Sequence, residues 1–521
     1  MIYRLLRDIY SFLVYTFLRL LWAFTPRTRV PPITDAALTQ SPATLARWIR
    51  ENKRSSESIV GAFVARIKAV NPILNGVVMD RFDEALKEAR DTDEWLKTLT
   101  KEEREKVAET KPVLGVPFTV KENVMVKGMS HTHALRVRQG KRAPEDAQVI
   151  ALLRNAGGIP LCVTNIPELG LSYACANVMY GTTNNPYDIS RTPGGSSGGE
   201  SALLASCGTP MAFGTDLGGS IRCPAAYTCT FGHKPTSGWV PLGGTGLFPS
   251  KLRTQRVMVC GPLTRYANDL PFVMEIIAPL HAKGLTQKVQ NVDLTELKVW
   301  WSEGVEGCAL ISSTDKILVN AVHHVTRHMA ETFRVPTAKW PFPMSDAMEV
   351  TGNKMSEDFL GEPPVTEDLA DRKGRISLRK EWLKMLSGFG NFTANTLALA
   401  TATTILVGAK EPKKSPYYWK NVQKKFLDVL GDKGVLVMPV MPTVPPFHLG
   451  ALFNPMDLAY TSIFNGTELP GTTAPLGLSK DGLPVAVQVI SAPGNDHLTI
   501  AVARALEEKF GGWVPPCPLQ I

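Results

Sequence analysis

The stretch that decides the fold runs from Asn185 to Pro224 and reads NPYDISRTPGGSSGGESALLASCGTPMAFGTDLGGSIRCP. It contains two glycine-flanked serine clusters, GGSSGG at 194–199 and GGS at 218–220, separated by a helix-compatible segment over 200–207. Glycine permits left-handed backbone conformations and lets a ligand approach backbone N–H groups closely. Such clusters suit two tasks: they hold a serine in an unusual conformation, and they aim amide donors at a developing oxyanion.

A serine hydroxyl is a weak nucleophile at neutral pH and needs a neighbouring base. The nine histidines stand at no telling spacing to either serine cluster. Upstream, the run GVPFTVKEN at 115–123 predicts a buried strand that ends at Lys121. A lysine at the end of a buried strand loses hydration, and this loss favours the neutral amine. The sequence therefore suggests Lys121 as the base.

A strand ending in lysine, then GGSSGG, then GTDLGGSIRCP resembles the amidase signature family of serine hydrolases. Ser196 and Ser220 also stand 24 positions apart, which is the family's interval. The resemblance implies a Ser–cis-Ser–Lys triad, with Ser220 as nucleophile, Ser196 as bridging serine and Lys121 as base. The peptide bond before Ser196 is expected to be cis.

The resemblance also assigns the groups around this relay. The oxyanion would be bound by the backbone N–H groups of Leu217, Gly218, Gly219 and Ser220. Asp216, Arg222 and Ser197 are expected to support the nucleophile structurally. His233, in the run GHKP, is expected to be structural, because the lysine already supplies the base. Neither a metal ion nor another cofactor is expected.

The similarity extends from about Leu45 to Val514, nearly the whole chain. In GGSSGGE, GSIR, FGHKP and the run NDHLTIAVARALEEKFGGWV it is nearest to the family members that cleave fatty-acid amides. It implies one large α/β domain over residues 31–521, with a twisted mixed β-sheet covered by helices on both faces. The implied reaction hydrolyses fatty-acid primary amides and N-acylethanolamines to free fatty acid and amine through an acyl-enzyme.

Composition favours a globular enzyme over a nucleic-acid-binding protein. Hydrophobic residues make up 44% of the 521 residues, which is enough for a large core. The net charge is +9, but the sequence has no basic stripe interleaved with aromatics and no nucleic-acid recognition motif. An anionic membrane surface is a better partner for the excess charge. The eight cysteines show no CxxC pair and no metal-ligand spacing, so all eight are expected to be reduced.

The first 24 residues, MIYRLLRDIYSFLVYTFLRLLWAF, predict a membrane anchor within residues 1–30. A spanning helix needs about 20 apolar residues, and Arg19 interrupts this run. Two forms remain open: a transmembrane helix, which we favour, and a helix lying in the headgroup plane. We expect an intracellular membrane or a lipid droplet surface as the location. The expected partners are membrane lipids, a lipid amide substrate and a second copy in a homodimer, with no nucleic acid.

Two helices are predicted near the start of the domain, with Ser41 and Ser56 as their N-caps. Ile59, Phe63 and Ile67 recur every four residues in the second, as on a buried face.

A second apolar stretch covers residues 382–408 and is interrupted by Gly388 and Gly390. It predicts a helical hairpin that dips into the membrane and opens an acyl channel, as in membrane-bound members of the family. A buried pair of core helices remains the alternative. The resemblance also implies that residues 167–173 contribute to the acyl-binding site.

Other functions fit parts of the same sequence. GGSSG at 194–198 matches G-x-S-x-G, the nucleophile elbow of α/β-hydrolases, and would make Ser196 the nucleophile of a lipase or esterase. A catalytically inactive lipid-amide-binding membrane protein would keep the fold without the chemistry. A glutamine-amidotransferase subunit would share the family, although the N-terminal anchor argues against it. A phosphate cradle is disfavoured because no G-K-[ST] follows the glycines.

Overall fold

A large mixed β-sheet forms the centre of the molecule. The computed structural model describes residues 2–26, 28–246, 256–308, 310–359, 362–408 and 417–521. Within this part the strands are β1 (Val77–Asp80), β2 (Pro117–Lys121), β3 (Ile159–Thr164), β4 (Ala176–Asn177), β5 (Gly181–Thr182), β6 (Met211–Asp216), β7 (Phe231–Lys234), β8 (Val259–Thr264), β9 (Lys298–Trp301), β10 (Thr337–Lys339), β11 (Gly434–Pro439), β12 (Gly471–Leu478) and β13 (Pro484–Ser491).

Eleven of these strands pair in the order β1-β3-β2-β6-β8-β7-β12-β13-β11-β9-β10, and β4 pairs with β5 separately. The pairs β3–β2, β2–β6, β11–β9 and β9–β10 are parallel. The other pairs in the large sheet are antiparallel. The predicted mixed sheet is therefore confirmed.

Helices cover this sheet. They are α1 (Ile2–Leu21), α2 (Pro42–Arg50), α3 (Ser56–Leu74), α4 (Phe82–Lys97), α5 (Lys101–Thr110), α6 (Gln148–Asn155), α7 (Gly198–Ala205), α8 (Arg222–Tyr227), α9 (Asp269–Ile277), α10 (Leu285–Gln290), α11 (Lys316–Phe333), α12 (Ala347–Asp358), α13 (Val365–Asp368), α14 (Leu378–Leu386), α15 (Ala394–Gly408), α16 (Tyr418–Leu430), α17 (Gly450–Phe453), α18 (Ala459–Gly466) and α19 (Asp496–Phe510).

The strands β2, β3 and β6 occupy the part of the sheet that matters for the chemistry. Every residue in them is buried, because helices cover parallel strands on both faces and select continuous apolar runs. The carboxyl ends of parallel strands lie at the same edge of a sheet. Lys121, Thr164 and Asp216 end these three strands and so stand at one edge.

The structure gives no support to the transmembrane form of the predicted N-terminal anchor. Residues 2–21 do form a helix, α1, but no described helix is both long enough and apolar enough to cross a membrane. The physical reason is charge: Arg4, Arg7, Asp8 and Arg19 all fall within its 20 residues. Met1 and Arg27 of the predicted anchor lie outside the described residues.

One face of α1 packs against the body of the protein. The Arg7 guanidinium donates to Asn454 Oδ1 at 2.7 Å, and Leu18 is buried. The Trp22 indole N–H donates to the carbonyl of His448 at 3.3 Å. The opposite face is apolar and exposed, so the helix is amphipathic with its polar contacts turned inward.

The predicted helical hairpin over residues 382–408 corresponds to α14 and α15, and we call residues 378–408 the cap segment. Gly388 takes a φ of +81° between the two helices, a value that favours glycine. Leu383, Leu386 and Phe389 are exposed, whereas Leu397 is buried. The hairpin is therefore half-exposed, and the alternative of a wholly buried core pair is wrong.

Candidate active site

The predicted base lies at the sheet edge, in contact with the predicted bridging serine. Lys121 is the last residue of β2, as the apolar run indicated. Its Nζ lies 2.7 Å from Ser196 Oγ, 3.0 Å from Thr215 Oγ1 and 3.1 Å from the Thr215 carbonyl oxygen. One hydrogen-bonded step therefore joins the lysine to the first hydroxyl.

The protonation of Lys121 follows from its burial. The side chain is only 1% exposed. Burial lowers the pKa of Lys121 from 10.5 to about 7, although the negative charge of Asp216 acts in the opposite direction. A neutral amine is therefore well populated at neutral pH, and a neutral amine can accept a proton from Ser196.

Both serine clusters meet at Ser196. The Gly195–Ser196 peptide bond is cis, as the resemblance implied. The Ser197 N–H donates to the carbonyl of Ser220 at 3.3 Å, so the two clusters are joined through the backbone. Gly170 lies against the hydroxyl of Ser196, because a Cβ built on it would stand 3.2 Å from Ser196 Oγ.

Ser220 lies in the turn between β6 and α8 and is 9% exposed. Gly219 has a φ of +121°, and a Cβ there would lie 2.1 Å from Thr461 Oγ1, so only glycine fits. The Gly219 N–H donates to Asp216 Oδ1 at 2.7 Å. Among the described residues, no acceptor is found for the N–H groups of Leu217, Gly218 and Ser220. Within the described chain, three of the four predicted oxyanion donors therefore have no acceptor, and the fourth, the Gly219 N–H, is held by Asp216.

The structure brings Ser196 close to Lys121 but does not bond it to Ser220. No hydrogen bond in the described part of the chain joins the two serine hydroxyls. Catalytic hydrogen bonds are often long in ligand-free structures and tighten in the substrate complex.

Asp216 and Arg222 form a fully buried ion pair beneath this turn. The guanidinium donates to Asp216 Oδ1 at 3.1 Å, to Asn465 Oδ1 at 2.6 Å and to Gln488 Oε1 at 3.1 Å. Burial alone would raise the pKa of Asp216, but the guanidinium of Arg222 holds it well below its ordinary value. The Asp216 carboxylate also accepts the Gly219 and Ile221 N–H groups. The pair therefore fixes the backbone of the Ser220 turn.

Ser197, the third expected supporting residue, has a packing role. Within the described chain its buried Oγ has no hydrogen-bond partner. A Cβ built on Gly214 would lie 2.4 Å from this oxygen, so the hydroxyl fills the space above β6.

Sequence reasoning missed several residues that hold Lys121 in place. Thr215 contacts Nζ directly, and Asn123 Nδ2 donates to Thr215 Oγ1 at 3.0 Å. Glu200 on α7 accepts the Thr119 hydroxyl of β2 at 2.8 Å and the Thr164 hydroxyl of β3 at 2.6 Å. Thr215 and Asn123 are sequence neighbours of Asp216 and Lys121, and that adjacency was the available signal.

The competing elbow assignment from the sequence loses support, and the expected structural role of His233 gains it. An α/β-hydrolase elbow at Ser196 needs a histidine, but the hydroxyl of Ser196 meets a lysine. The tempting histidine, His233, is fully buried elsewhere: its ring nitrogens lie 2.9 Å from Thr472 Oγ1 and 3.1 Å from Asp496 Oδ1. This contact agrees with the structural role expected for it.

A large cavity in the described part of the chain lies away from these groups. It has a volume of about 1540 Å³ and lies between α1 and the body, lined by Tyr173, Arg191 and Phe447 among others. Lys121, Ser196 and Ser220 do not line it. Size alone does not identify a reactive site, so we assign the chemistry to the base and hydroxyls at the sheet edge.

No group of three or more His, Cys, Asp or Glu residues that could hold a metal ion occurs in the described part of the chain. All eight cysteines carry free thiols. Burial raises the pKa of the Cys175 thiol to about 11, so it is protonated at neutral pH.

A mixed sheet that holds a buried lysine against a serine beside a glycine-rich turn is typical of amide hydrolases. Comparison with known proteins agrees with this class. Residues 58–300 match the family model described as Amidase. The chain is 39% identical to fatty-acid amide hydrolase 2 of Homo sapiens over 504 residues, covering 94% of this chain and 92% of the relative.

Two further similarities extend over most of the chain. Fatty-acid amide hydrolase 2-A of Danio rerio is 36% identical over 496 residues, which cover 94% of this chain and 92% of the relative. A solved structure of fatty acid amide hydrolase aligns with a TM-score of 0.70 at 18% identity, covering 96% of this chain and 89% of that one. The chain belongs to the amidase signature family. It is an amidohydrolase that acts on carbon–nitrogen amide bonds.

Proposed function

We propose that this amidohydrolase cleaves fatty-acid amides at a membrane surface, through an acyl-enzyme on Ser220. The observation that carries the proposal is the 2.7 Å contact between Lys121 Nζ and Ser196 Oγ, made by a lysine whose pKa burial lowers to about 7. The substrate class rests on the names of the relatives, which are fatty-acid amide hydrolases.

The proton path runs from Ser220 through Ser196 to Lys121. The neutral amine takes the proton of Ser196, and Ser196 takes that of Ser220 as Ser220 Oγ bonds to the substrate carbonyl carbon. The developing oxyanion accepts hydrogen bonds from the N–H groups of Leu217, Gly218 and Ser220. One such donor typically contributes about 2.7–4 kcal/mol of transition-state stabilisation.

The tetrahedral intermediate then breaks its carbon–nitrogen bond. The relay returns a proton to the leaving amine, which departs and leaves an ester between the acyl group and Ser220. Water attacks this ester, with the same relay accepting its proton, and the fatty acid leaves as Ser220 regains its hydrogen. No redox step or cofactor takes part.

The substrate class is tested with straight-chain primary amides of increasing acyl length. We expect kcat/KM to rise by up to about fourfold per added methylene, because each buried CH2 contributes about 0.8 kcal/mol. Glutamine serves as the control for an amidotransferase-type activity, and vesicle-free detergent keeps the long amides dispersed. Equal rates at all chain lengths, or a preference for glutamine, would contradict the proposed substrate.

Membrane association is proposed for the exposed face of α1. This face carries a row of exposed apolar side chains: Leu6, Ile9, Phe12, Leu13, Phe17, Leu20 and Leu21. Such a helix buries its apolar side chains shallowly in the headgroup region while its polar face stays on the protein. Leu383, Leu386 and Phe389 of the cap segment add further exposed apolar surface.

The double variant L13E/L20E is expected to lower binding to anionic phospholipid vesicles by more than about tenfold, because burial of one leucine contributes about 1.5–3 kcal/mol. Co-sedimentation with vesicles measures the effect. L280E is the matched control, since Leu280 is 90% exposed but lies outside α1. Unchanged vesicle binding by the double variant, or an equal loss in L280E, would refute a role for α1.

A further inference from the structure

Glu168 is a buried carboxylate that the mechanism does not use. It lies after β3, and its side chain is not exposed. Oε1 accepts the backbone N–H groups of Val178 at 3.2 Å and Thr393 at 3.0 Å. Oε2 accepts the hydroxyls of Thr393 at 2.8 Å and Thr396 at 2.7 Å. Both oxygens are thus fully engaged, mainly by residues more than 200 positions away.

Three of these four donors lie in the cap segment, on Thr393, which immediately precedes α15, and on Thr396 in its first turn. A carboxylate at a helix N-terminus satisfies N–H groups that the helix itself leaves unpaired and interacts favourably with the helix dipole. Glu168 therefore holds Thr393 and the first turn of α15 from another part of the chain. An ion pair lies shortly before the cap segment: Asp371 accepts from Arg138 at 2.6 Å and from Lys141 at 2.6 Å.

The residues that follow Glu168 in the chain contact the bridging serine, Ser196. Leu169 has a φ of +56°, donates its N–H to the carbonyl of His133 at 2.9 Å, and packs against the apolar cluster around Phe392. Gly170, with a φ of +70°, is the residue that lies against Ser196 Oγ. A tight turn of two residues thus separates the cap contact from the proton relay.

We propose that Glu168 is a positioning residue that fixes the cap segment against the loop beside Ser196 and so determines how well long acyl chains are held during catalysis. This inference rests on the proposed function, because it assumes an acyl substrate at Ser220. Leu169 joins this loop to the apolar cluster around Phe392 of the cap segment. Under the proposed function, a long acyl chain on Ser220 is expected to extend to this cluster, whereas a short one is not.

The variant E168A removes the cap and leaves three donor groups of Thr393 and Thr396 without their acceptor. We expect kcat/KM for a long-chain amide to fall about tenfold more than for a short-chain amide, because α15 frays without these contacts and a frayed helix no longer holds the long chain. We also expect faster limited proteolysis within residues 378–408. E168Q is expected to restore both properties: its carbonyl can accept the two N–H groups, and its NH2 can donate to the two hydroxyls.

Asp93 provides a matched control, because it caps α3 from another element by accepting the N–H groups of Ser56 at 2.7 Å and Glu57 at 2.9 Å. D93A is expected to leave the long-to-short ratio of kcat/KM unchanged. If E168A does not fold, T396V tests the same contact from the side of the cap, and we expect a smaller shift of that ratio in the same direction.

An unchanged ratio in E168A, or in T396V where E168A does not fold, would overturn the proposal, as would an equal change in D93A. Failure of E168Q to restore the ratio would also overturn it. The proposed function is tested separately by fluorophosphonate labelling of Ser220 in the unaltered enzyme. Proteolysis of the cap segment tests the Glu168 contact whether or not that labelling occurs.

Discussion

Replacing Ser220 with alanine is expected to lower kcat for amide hydrolysis by about a million-fold, the loss typical when a hydrolase loses its nucleophile. The physical reason is that Ser220 lies in the glycine-rich turn whose N–H groups are proposed to bind the oxyanion, so its hydroxyl is the one placed to attack there. The same variant is expected to lose covalent labelling by a fluorophosphonate probe, measured by the mass of the intact protein. Binding of a long-chain amide is expected to persist, because removing one hydroxyl leaves the apolar surface for the acyl chain unchanged.

S201A is the matched control for this experiment. Ser201 is a buried serine of the same segment, and its hydroxyl donates to the Gly198 carbonyl at 3.2 Å. It is expected to keep both labelling and turnover. Label found on Ser196 in the S220A variant would instead support the nucleophile-elbow reading, and an unlabelled but fully active S220A would remove Ser220 from the chemistry.

Replacing Lys121 with alanine is expected to lower kcat/KM by about a hundred- to ten-thousand-fold, the usual contribution of a general base. The pH profile carries the sharper prediction. Burial lowers the pKa of Lys121 to about 7. Only the neutral amine accepts a proton, so the activity of the unaltered enzyme rises as pH increases through about 7 and is lost as the ammonium forms below it. The variant is expected to lose this inflection, measured with a soluble amide between pH 5 and about 10.

Lys234 provides the control that tests which buried lysine causes the inflection in the pH profile. It is also fully buried, burial lowers its pKa to about 7, and its Nζ donates to the Leu469 carbonyl at 2.7 Å rather than to a serine. K234M is expected to be less stable but to keep the inflection. If the inflection vanished in K234M and persisted in K121A, the titrating group would be Lys234, and Lys121 would not be the base.

Local sequence patterns predicted much of the central fold, because burial and helix capping in these segments depend on residues close together in the sequence. The apolar run that ends in Lys121 became β2 with that lysine as its last residue, since each side chain of the run is buried. Ile59, Phe63 and Ile67 are buried on α3, as their spacing indicated. Ser41 caps α2, with its hydroxyl accepting the Thr44 N–H at 3.1 Å.

Predictions failed where a distant part of the chain decides the outcome. Ser56 was predicted to cap α3, but Ser55 accepts the Ser58 N–H and fills that role. The Ser56 N–H instead meets the carboxylate of Asp93, 37 positions away, and Ser56 becomes the first residue of the helix. Two adjacent serines offer the same local chemistry, so the tertiary contact alone selects between them.

The same reason explains what was missed in the sheet and at the site. The strand β12, with glycines and a proline in GTTAPLGL, carries no apolar alternation, yet it pairs with β7 and β13 inside the sheet. Thr215 touches Lys121 only because β6 lies next to β2. The transmembrane prediction for α1 lacks support for a local reason, because the charged residues within the helix disfavour its burial in lipid.

The guanidinium of Arg222 has a consequence for how the enzyme matures on the ribosome. Its partners Asn465 and Gln488 are made more than 240 residues after Asp216 and Arg222. A nascent chain that has emerged only as far as β8 already contains Lys121, Ser196 and Ser220, yet its Arg222 still lacks two of the three side chains that hold it. The reactive turn therefore takes its final shape late in synthesis, and a truncated product would carry the full set of reacting groups without the framework that aims them.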